Sequence, residues 1–269
     1  MAPFHAVIIG GGGTGAAVAH DLTLRGFKVT LVERGELTSG TTGRHHGLLH
    51  SGARYAVKDK ESAVECIEEN TILRRIAPGT FELNDGLFVA LTDEEVAYSH
   101  EFFESCQECG IPVRRLTREE VLKREPNVNP AVKMAVQVPD ATMDAMRMPL
   151  RFFATAKHSG AVIKPYHEVV DFIKRGNAVS AIRVRDHTTN KEYEIGGDIF
   201  INAGGAWSGR IGAMVGVEVP IRPSPGVMLA VYGRLSNMVI NRLHGSGDGD
   251  IVVPQRALSV IGTSSWVVE

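Results

Sequence analysis

Apolar residues first gather at Phe4–Ile9, an unbroken run of the kind a parallel strand shows when both its faces are buried. Gly10–Gly15 predicts a turn. Thr14–Arg25 predicts a helix, with Ala16, Ala17, Ala19 and Leu22 on its packing side at helical spacing. Gly26 takes the place of a C′ glycine. Phe27–Val32 predicts a second strand with Glu33 at its end, completing a strand–helix–strand unit.

The same reading continues downstream. Helices are predicted at Lys60–Ile76, Asp93–Cys109, Thr117–Glu125 and Asp144–His158, and strands at Phe81–Leu91, Ile111–Leu116 and Ala131–Pro139. Thr117 and Glu120 have the spacing of a capping box. A strand-rich meander follows at Ala161–Lys164, Glu168–Lys174, Ala178–Arg185 and Tyr193–Ile195, with turns at 175–177 and 188–191. Asp198–Asn202 is apolar and β-branched and leads into Ala-Gly-Gly-Ala-Trp. From Val219 to Val268 short strands are expected, broken at Pro223, Pro225, Gly233, Pro254 and Gly262. Alternation of α/β and all-β stretches predicts two domains that exchange the chain more than once: 1–80 with 140–215, and 81–139 with 216–269.

Composition narrows the class. The 269 residues are 43% hydrophobic and 22% charged, ordinary for a globular protein. A net charge of −2 gives no global basic field for nucleic acid. No apolar run approaches a membrane span, and the opening Met-Ala-Pro-Phe-His lacks the basic region of a signal peptide. Three cysteines make no disulfide framework, so reduced cytoplasmic thiols are expected.

Against this neutral background two segments carry chemistry. Gly10, Gly12 and Gly15 form G-x-G-x-x-G between a strand and a helix, and Glu33 follows eighteen positions after Gly15. That context is a dinucleotide site: the glycines admit the pyrophosphate to the helix N-terminus, and the acid accepts from ribose hydroxyls. An acid at that place argues against a 2′-phosphate and leaves NAD and FAD open. From Thr38 to Lys58 there is no acidic residue, while the segment holds Arg44, His45, His46, His50, Arg54 and Lys58. Arginine suits bidentate phosphate binding, and Arg54 has no acid near it in sequence. His50, six residues after Arg44 and four before Arg54, is the candidate base for a secondary alcohol. The bland alternative is that His45, His46 and His50 hydrogen-bond cofactor or backbone. No carboxylate or cysteine accompanies them at ligand spacing, so no metal site is expected.

The block Thr-Ser-Gly-Thr-Thr-Gly-Arg-His-His-Gly-Leu-Leu-His-Ser-Gly-Ala-Arg-Tyr-Ala, after the glycine turn, resembles the FAD-dependent glycerol-3-phosphate dehydrogenases. Among these it is most like the large (A) subunit of the anaerobic, quinone-linked type. The likeness runs on through GLFVAL (86–91), VPDATMD (138–144), GAVIKPYHEV (160–169), INAGGAWS (201–208) and IVVPQRALSVIGTSS (251–265). It implies an α/β fold, α+β overall: a Rossmann-like FAD-binding domain of the D-amino-acid-oxidase/glutathione-reductase type with an interleaved β-rich substrate domain. By the same resemblance Gly10, Gly12, Gly15, Glu33 and Arg34 hold the ADP half of FAD. Thr41, Thr42 and Gly43 line pyrophosphate and ring, His45, Gly47, Leu48 and Leu49 approach the isoalloxazine, and Val169 lies beside adenine. Ala203, Gly204 and Trp207 form the second flavin turn, and Arg54 with Tyr55 reaches the substrate phosphate.

The implied reaction is oxidation of sn-glycerol 3-phosphate, with electrons leaving to a quinone or to another subunit as partner. The implied location is cytoplasmic, or peripheral on the inner face of the cell membrane. The family extends beyond Val268-Glu269 with further substrate contacts and a turn over the flavin ring. Weak flavin retention and little turnover are therefore expected of these residues alone. Three other readings are an amino-acid or 2-hydroxyacid oxidoreductase of the same fold, a non-catalytic flavin-binding fragment, and, more weakly, a nicotinamide dehydrogenase.

Other motifs carry less. Cys106-x-x-Cys109, with only Cys66 besides, reads as ordinary thiols. Asp248 and Asp250 lack calcium-loop spacing and read as a turn. Trp207 and Trp266 read, on the residues alone, as packing residues.

Overall fold

A computed structural model describes residues 3–245 and 250–266. Asp248 and the terminal Val268-Glu269 lie outside the described residues. The chain forms two compact units, Met1–His45 with Ala145–Pro223 and His46–Asp144 with Ser224–Glu269. The segment 46–80, expected with the nucleotide-binding part, thus packs with the second unit.

The first unit is built on a four-stranded parallel sheet ordered Ile199–Asn202, His5–Ile9, Lys28–Val32, Val162–Lys164. Ala6, Val7 and Ile8 are wholly buried, as their unbroken apolar run requires. The crossover helix Gly13–Leu24 buries Gly15, Ala16, Ala19 and Thr23. It packs on the helix Arg147–His158, where the rings of His20 and Phe152 stand 4.9 Å apart. Ala17, expected on the packing side, is exposed, because the close approach uses the small residues one turn apart at 15, 16 and 19. Gly26 ends the helix at φ +85°. The meander His167–Arg175, Ala178–Asp186, Lys191–Gly196 is antiparallel. Its buried Val169, Ile182 and Val184 join Val7, Ile9 and Val32 in one core.

The second unit carries a seven-stranded mixed sheet ordered Gly226–Tyr232, Leu258–Ser265, Ile251–Gln255, Val239–Arg242, Gly86–Ala90, Met134–Val138, Arg114–Thr117. Helices Lys60–Ile76 and Asp93–Glu108 belong to this unit, with Ala63, Phe88, Phe102, Cys106 and Val136 buried together. The predicted capping box at Thr117 and Glu120 is present on the helix Arg118–Arg124. A second, Thr92 with Glu95, starts Asp93–Glu108.

Several expectations need correction. Phe81–Leu91 is two strands, Phe81–Glu82 and Gly86–Ala90, because Asp85 turns the chain at φ +55°. The helix expected from Asp144 starts at Arg147. A helix Ser208–Met214 follows the strand Ile199–Asn202, where no helix is predicted. Pro254 and Gly262 sit inside strands. Pairing with Val239–Arg242 reaches only Ile251 and Val252, so at Pro254 no ladder bond on that side is lost. Gly262, at φ +105°, falls beside a register shift between Val227 and Leu229, a bulge that only a residue tolerant of positive φ allows. Trp266 is 47% exposed and is not a packing residue. Cys66, Cys106 and Cys109 are unbridged thiols, and burial pushes Cys106 up to about 12.

Candidate functional site

Within the first unit the strand His5–Ile9 delivers the chain to Gly10 at φ +116°, where a Cβ would lie 2.3 Å from the Ala203 carbonyl oxygen. At Gly15 a Cβ would stand 1.9 Å from the Gly10 oxygen, so helix and loop meet backbone to backbone. Gly12 differs: it is the N-cap, it offers no side chain, and an added Cβ would meet only Thr42 Oγ1, at 3.1 Å. The helix N-terminus is left facing a cavity of about 530 Å³ lined by Gly10, Gly12 and Gly13, a place that favours an anion. Gly13 N–H donates to Thr42 Oγ1 at 2.9 Å, tying the turn Thr41–Arg44 to the helix start.

Glu33 caps the second strand. Its carboxylate accepts from Gly11 N–H at 2.7 Å and Gly35 N–H at 2.8 Å. A carboxylate has about four acceptor positions, so Glu33 keeps acceptor capacity toward the cavity it lines. Beside it the Arg34 guanidinium lies 4.5 Å from the centre of the Trp207 ring, a cation–π contact. Val169 is buried and lines the same cavity, as do Thr41, Ala203 and Gly204.

Gly15, Gly43 and His45 do not line the cavity. Gly43 is needed for the turn itself, since a Cβ there would stand 2.6 Å from the Thr38 oxygen. His45 is half-buried, and burial holds its imidazole below the ordinary value. Arg44, from the basic segment, also lines the cavity, as do His167, Glu168 and Arg210, which sequence reasoning missed. The arginines Arg34, Arg44 and Arg210 outnumber the carboxylates Glu33 and Glu168, which suits a diphosphate.

Gly47, Leu48, Leu49, His50, Arg54 and Tyr55 belong to the second unit. Leu48 and Leu49 pair with Thr142 and Ala141. Gly47, at φ +74°, presses on Gln255, whose Nε2 donates to the carbonyls of His46 (2.8 Å), Gly47 (3.2 Å) and Met143 (3.2 Å). His50 stands in an aromatic row, 6.1 Å from the His46 ring and 6.0 Å from Tyr55. Arg54 donates from Nη2 to the Asn241 side-chain oxygen at 2.8 Å. Among the described residues it forms no ion pair with a carboxylate. Groups of three or more residues suited to hold a metal are absent among the described residues, and no described helix is long and apolar enough to cross a membrane.

The profile of the FAD dependent oxidoreductase (DAO) family matches residues 5–268. A subunit of the anaerobic glycerol-3-phosphate dehydrogenase of Haloferax volcanii is 44% identical over 98% of this chain and 46% of its own. The corresponding chain of the anaerobic glycerol-3-phosphate dehydrogenase of Escherichia coli K12 is 43% identical over 98% of this chain and 48% of its own. The chain thus spans about half the length of these curated relatives. Among solved structures, glycine oxidase from Geobacillus kaustophilus superposes with a TM-score of 0.81 at 22% identity, covering 99% of this chain and 73% of that one. The glycerol-3-phosphate dehydrogenase from Bacillus halodurans, complexed with FAD, gives 0.73 at 22% identity, covering 100% and 48%. At that identity the two structures establish the fold alone.

Proposed function

The chain belongs to the FAD dependent oxidoreductase family, and on that premise we propose that it oxidises sn-glycerol 3-phosphate to dihydroxyacetone phosphate. The cradle of the first unit fits the ADP half of FAD. Gly12 and the helix N-terminus suit the pyrophosphate, Glu33 the ribose hydroxyls, and Val169, Arg34 and Trp207 the adenine end. FAD, when bound, supplies an acceptor at N5 for the hydride from substrate C2. We assign FAD binding to 1–80 with 140–215 and substrate binding to 81–139 with 216–269. In this assignment the window 46–80 serves the flavin while packing with the second unit.

The chain's own residues divide the remaining work. Thr41, Thr42 and Gly43 shape the turn beside the pyrophosphate. His45, Gly47, Leu48 and Leu49 are assigned to the isoalloxazine on the family likeness. Arg54, with Tyr55, grips the substrate phosphate, and His50 accepts the C2 hydroxyl proton. Electrons then pass to a quinone or to another subunit as partner, in the cytoplasm or at the inner membrane face. The observation that carries this reading is Arg54, whose guanidinium is hydrogen-bonded by a neutral amide and forms no ion pair among the described residues, while the buried Asp140 carboxyl acts on it only through space. The family likeness selects glycerol 3-phosphate as that anion.

The test is a visible spectrum of the flavin-loaded protein followed by anaerobic addition of substrate. Bleaching by sn-glycerol 3-phosphate is expected, to completion in a single reduction even where these residues alone turn over slowly. Bleaching by an amino acid or a 2-hydroxyacid instead, or by none of these, would remove the proposal.

A further inference from the structure

Arg54 is reached from a strand far away in the chain. Asn241 is 1% exposed on Val239–Arg242, which pairs in parallel with Gly86–Ala90 and antiparallel with Ile251–Gln255. Ladder partners on both sides fix its backbone. Its side-chain oxygen accepts from Arg54 Nη2 at 2.8 Å. Arginine is donor-only, so the amide is oriented unambiguously: oxygen toward Arg54, nitrogen away. That nitrogen is buried and has no hydrogen-bond partner among the described residues. An unpaired buried donor is a cost, and an apolar residue of similar shape would avoid it. Packing therefore does not account for an asparagine at this position.

The loop that carries Arg54 is held just as firmly. Ser51 N–H donates to Asp140 Oδ1 at 2.8 Å, and Asp140 is 3% exposed. Gly52, at φ +89°, lies against the helix Lys60–Ile76, where a Cβ would stand 2.2 Å from the Ala63 oxygen. The loop backbone is thus held by Asp140 and by the helix, and the guanidinium by the uncharged amide of Asn241, with Asp140 acting on Arg54 only through space.

We infer that Asn241 is the positioning residue for Arg54: its amide oxygen orients the guanidinium through one N–H and leaves the charge and the other donors for a phosphate monoester. This rests on the reading of Arg54 as the phosphate-binding residue. A carboxylate at 241 would orient equally well but would neutralise the charge. An aliphatic side chain would leave the charge intact and release the orientation.

The experiment is calorimetric titration of the flavin-loaded protein with sn-glycerol 3-phosphate, comparing wild type with Asn241→Leu, Asn241→Asp, Arg54→Gln and the double variant Asn241→Leu/Arg54→Gln. Melting temperatures are measured alongside. Asn241→Leu is expected to melt at or above wild type yet bind roughly tenfold more weakly, the scale of one lost orienting hydrogen bond to a charged group. Asn241→Asp is expected to bind more weakly still. In the Arg54→Gln background Asn241→Leu should add nothing, because the two act as one unit. Unchanged affinity in Asn241→Leu, with Arg54→Gln weakened, overturns the inference and spares the reading beneath it. If Asn241→Leu misfolds, Asn241→Asp with wild-type affinity overturns it equally. Wild-type affinity in Arg54→Gln, or no binding by wild type, overturns the reading of Arg54 itself.

Discussion

Gly15 decides whether the turn Gly10–Gly15, proposed to bind the nucleotide, closes. A methyl there meets the Gly10 carbonyl oxygen at 1.9 Å, a distance no side-chain rearrangement relieves because both partners are backbone. Gly15→Ala is therefore expected to cost about 1–3 kcal/mol of stability and to weaken FAD at least tenfold, measured by thermal melting and flavin fluorescence. Wild-type flavin affinity in that variant would refute the assigned turn. Such local demands were legible in the sequence, because strand, turn and helix are neighbours along the chain. Arg54 and Asn241 lie 187 positions apart, and Gln255 is 209 positions from the His46 carbonyl it serves. No local pattern announces a side-chain hydrogen bond made only after a sheet has assembled.

At the scale of elements, the helix Asp93–Glu108 is tied to the sheet by the carboxylate that caps it. Burial works against the ionised Glu95. The N–H groups of Leu91 (2.6 Å) and Thr92 (3.1 Å) and the Arg242 guanidinium (2.6 Å) outweigh it and hold the carboxyl below its usual 4.5. A depressed folded value means that the stabilisation is complete above the unfolded value and is lost as pH falls through the folded one. Glu95→Ala should cost about 2–3 kcal/mol at pH 7, since it strands buried N–H groups and an arginine. The difference between variant and wild type should shrink once pH drops below 4.5, as read by denaturant melts across pH. A gap that persists there would assign the role to packing. The helix is legible in the sequence, and its cap Thr92-Asp93-Glu94-Glu95 has the same Thr-x-x-Glu spacing as Thr117 and Glu120. The tie to Arg242 was out of reach, because Glu95 and Arg242 are 147 positions apart. Residues 81–91 misled for a related reason: an apolar run with Asp85 in a left-handed turn is two short strands.

In the molecule as a whole, two interleaved units share the labour proposed here. One offers the cavity proposed for the nucleotide, with more arginines than carboxylates; the other offers an arginine hydrogen-bonded by an amide. The α/β class was readable from the strand–helix–strand unit of the first thirty-odd residues, which by themselves leave NAD and FAD open. The helix Ser208–Met214, which lends Arg210 to the cradle, hid in a glycine-rich stretch whose propensity is low and whose formation depends on packing. The central claim is that Arg54 selects the substrate by its phosphate. Its most direct test is anaerobic flavin reduction by sn-glycerol 3-phosphate and by glycerol, titrated in wild type and in Arg54→Gln. Wild type should discriminate at least a hundredfold in half-saturating concentration, the worth of a charge-assisted bidentate contact, and Arg54→Gln should lose most of that ratio. A wild-type ratio near one, or an undiminished ratio in Arg54→Gln, would contradict the account.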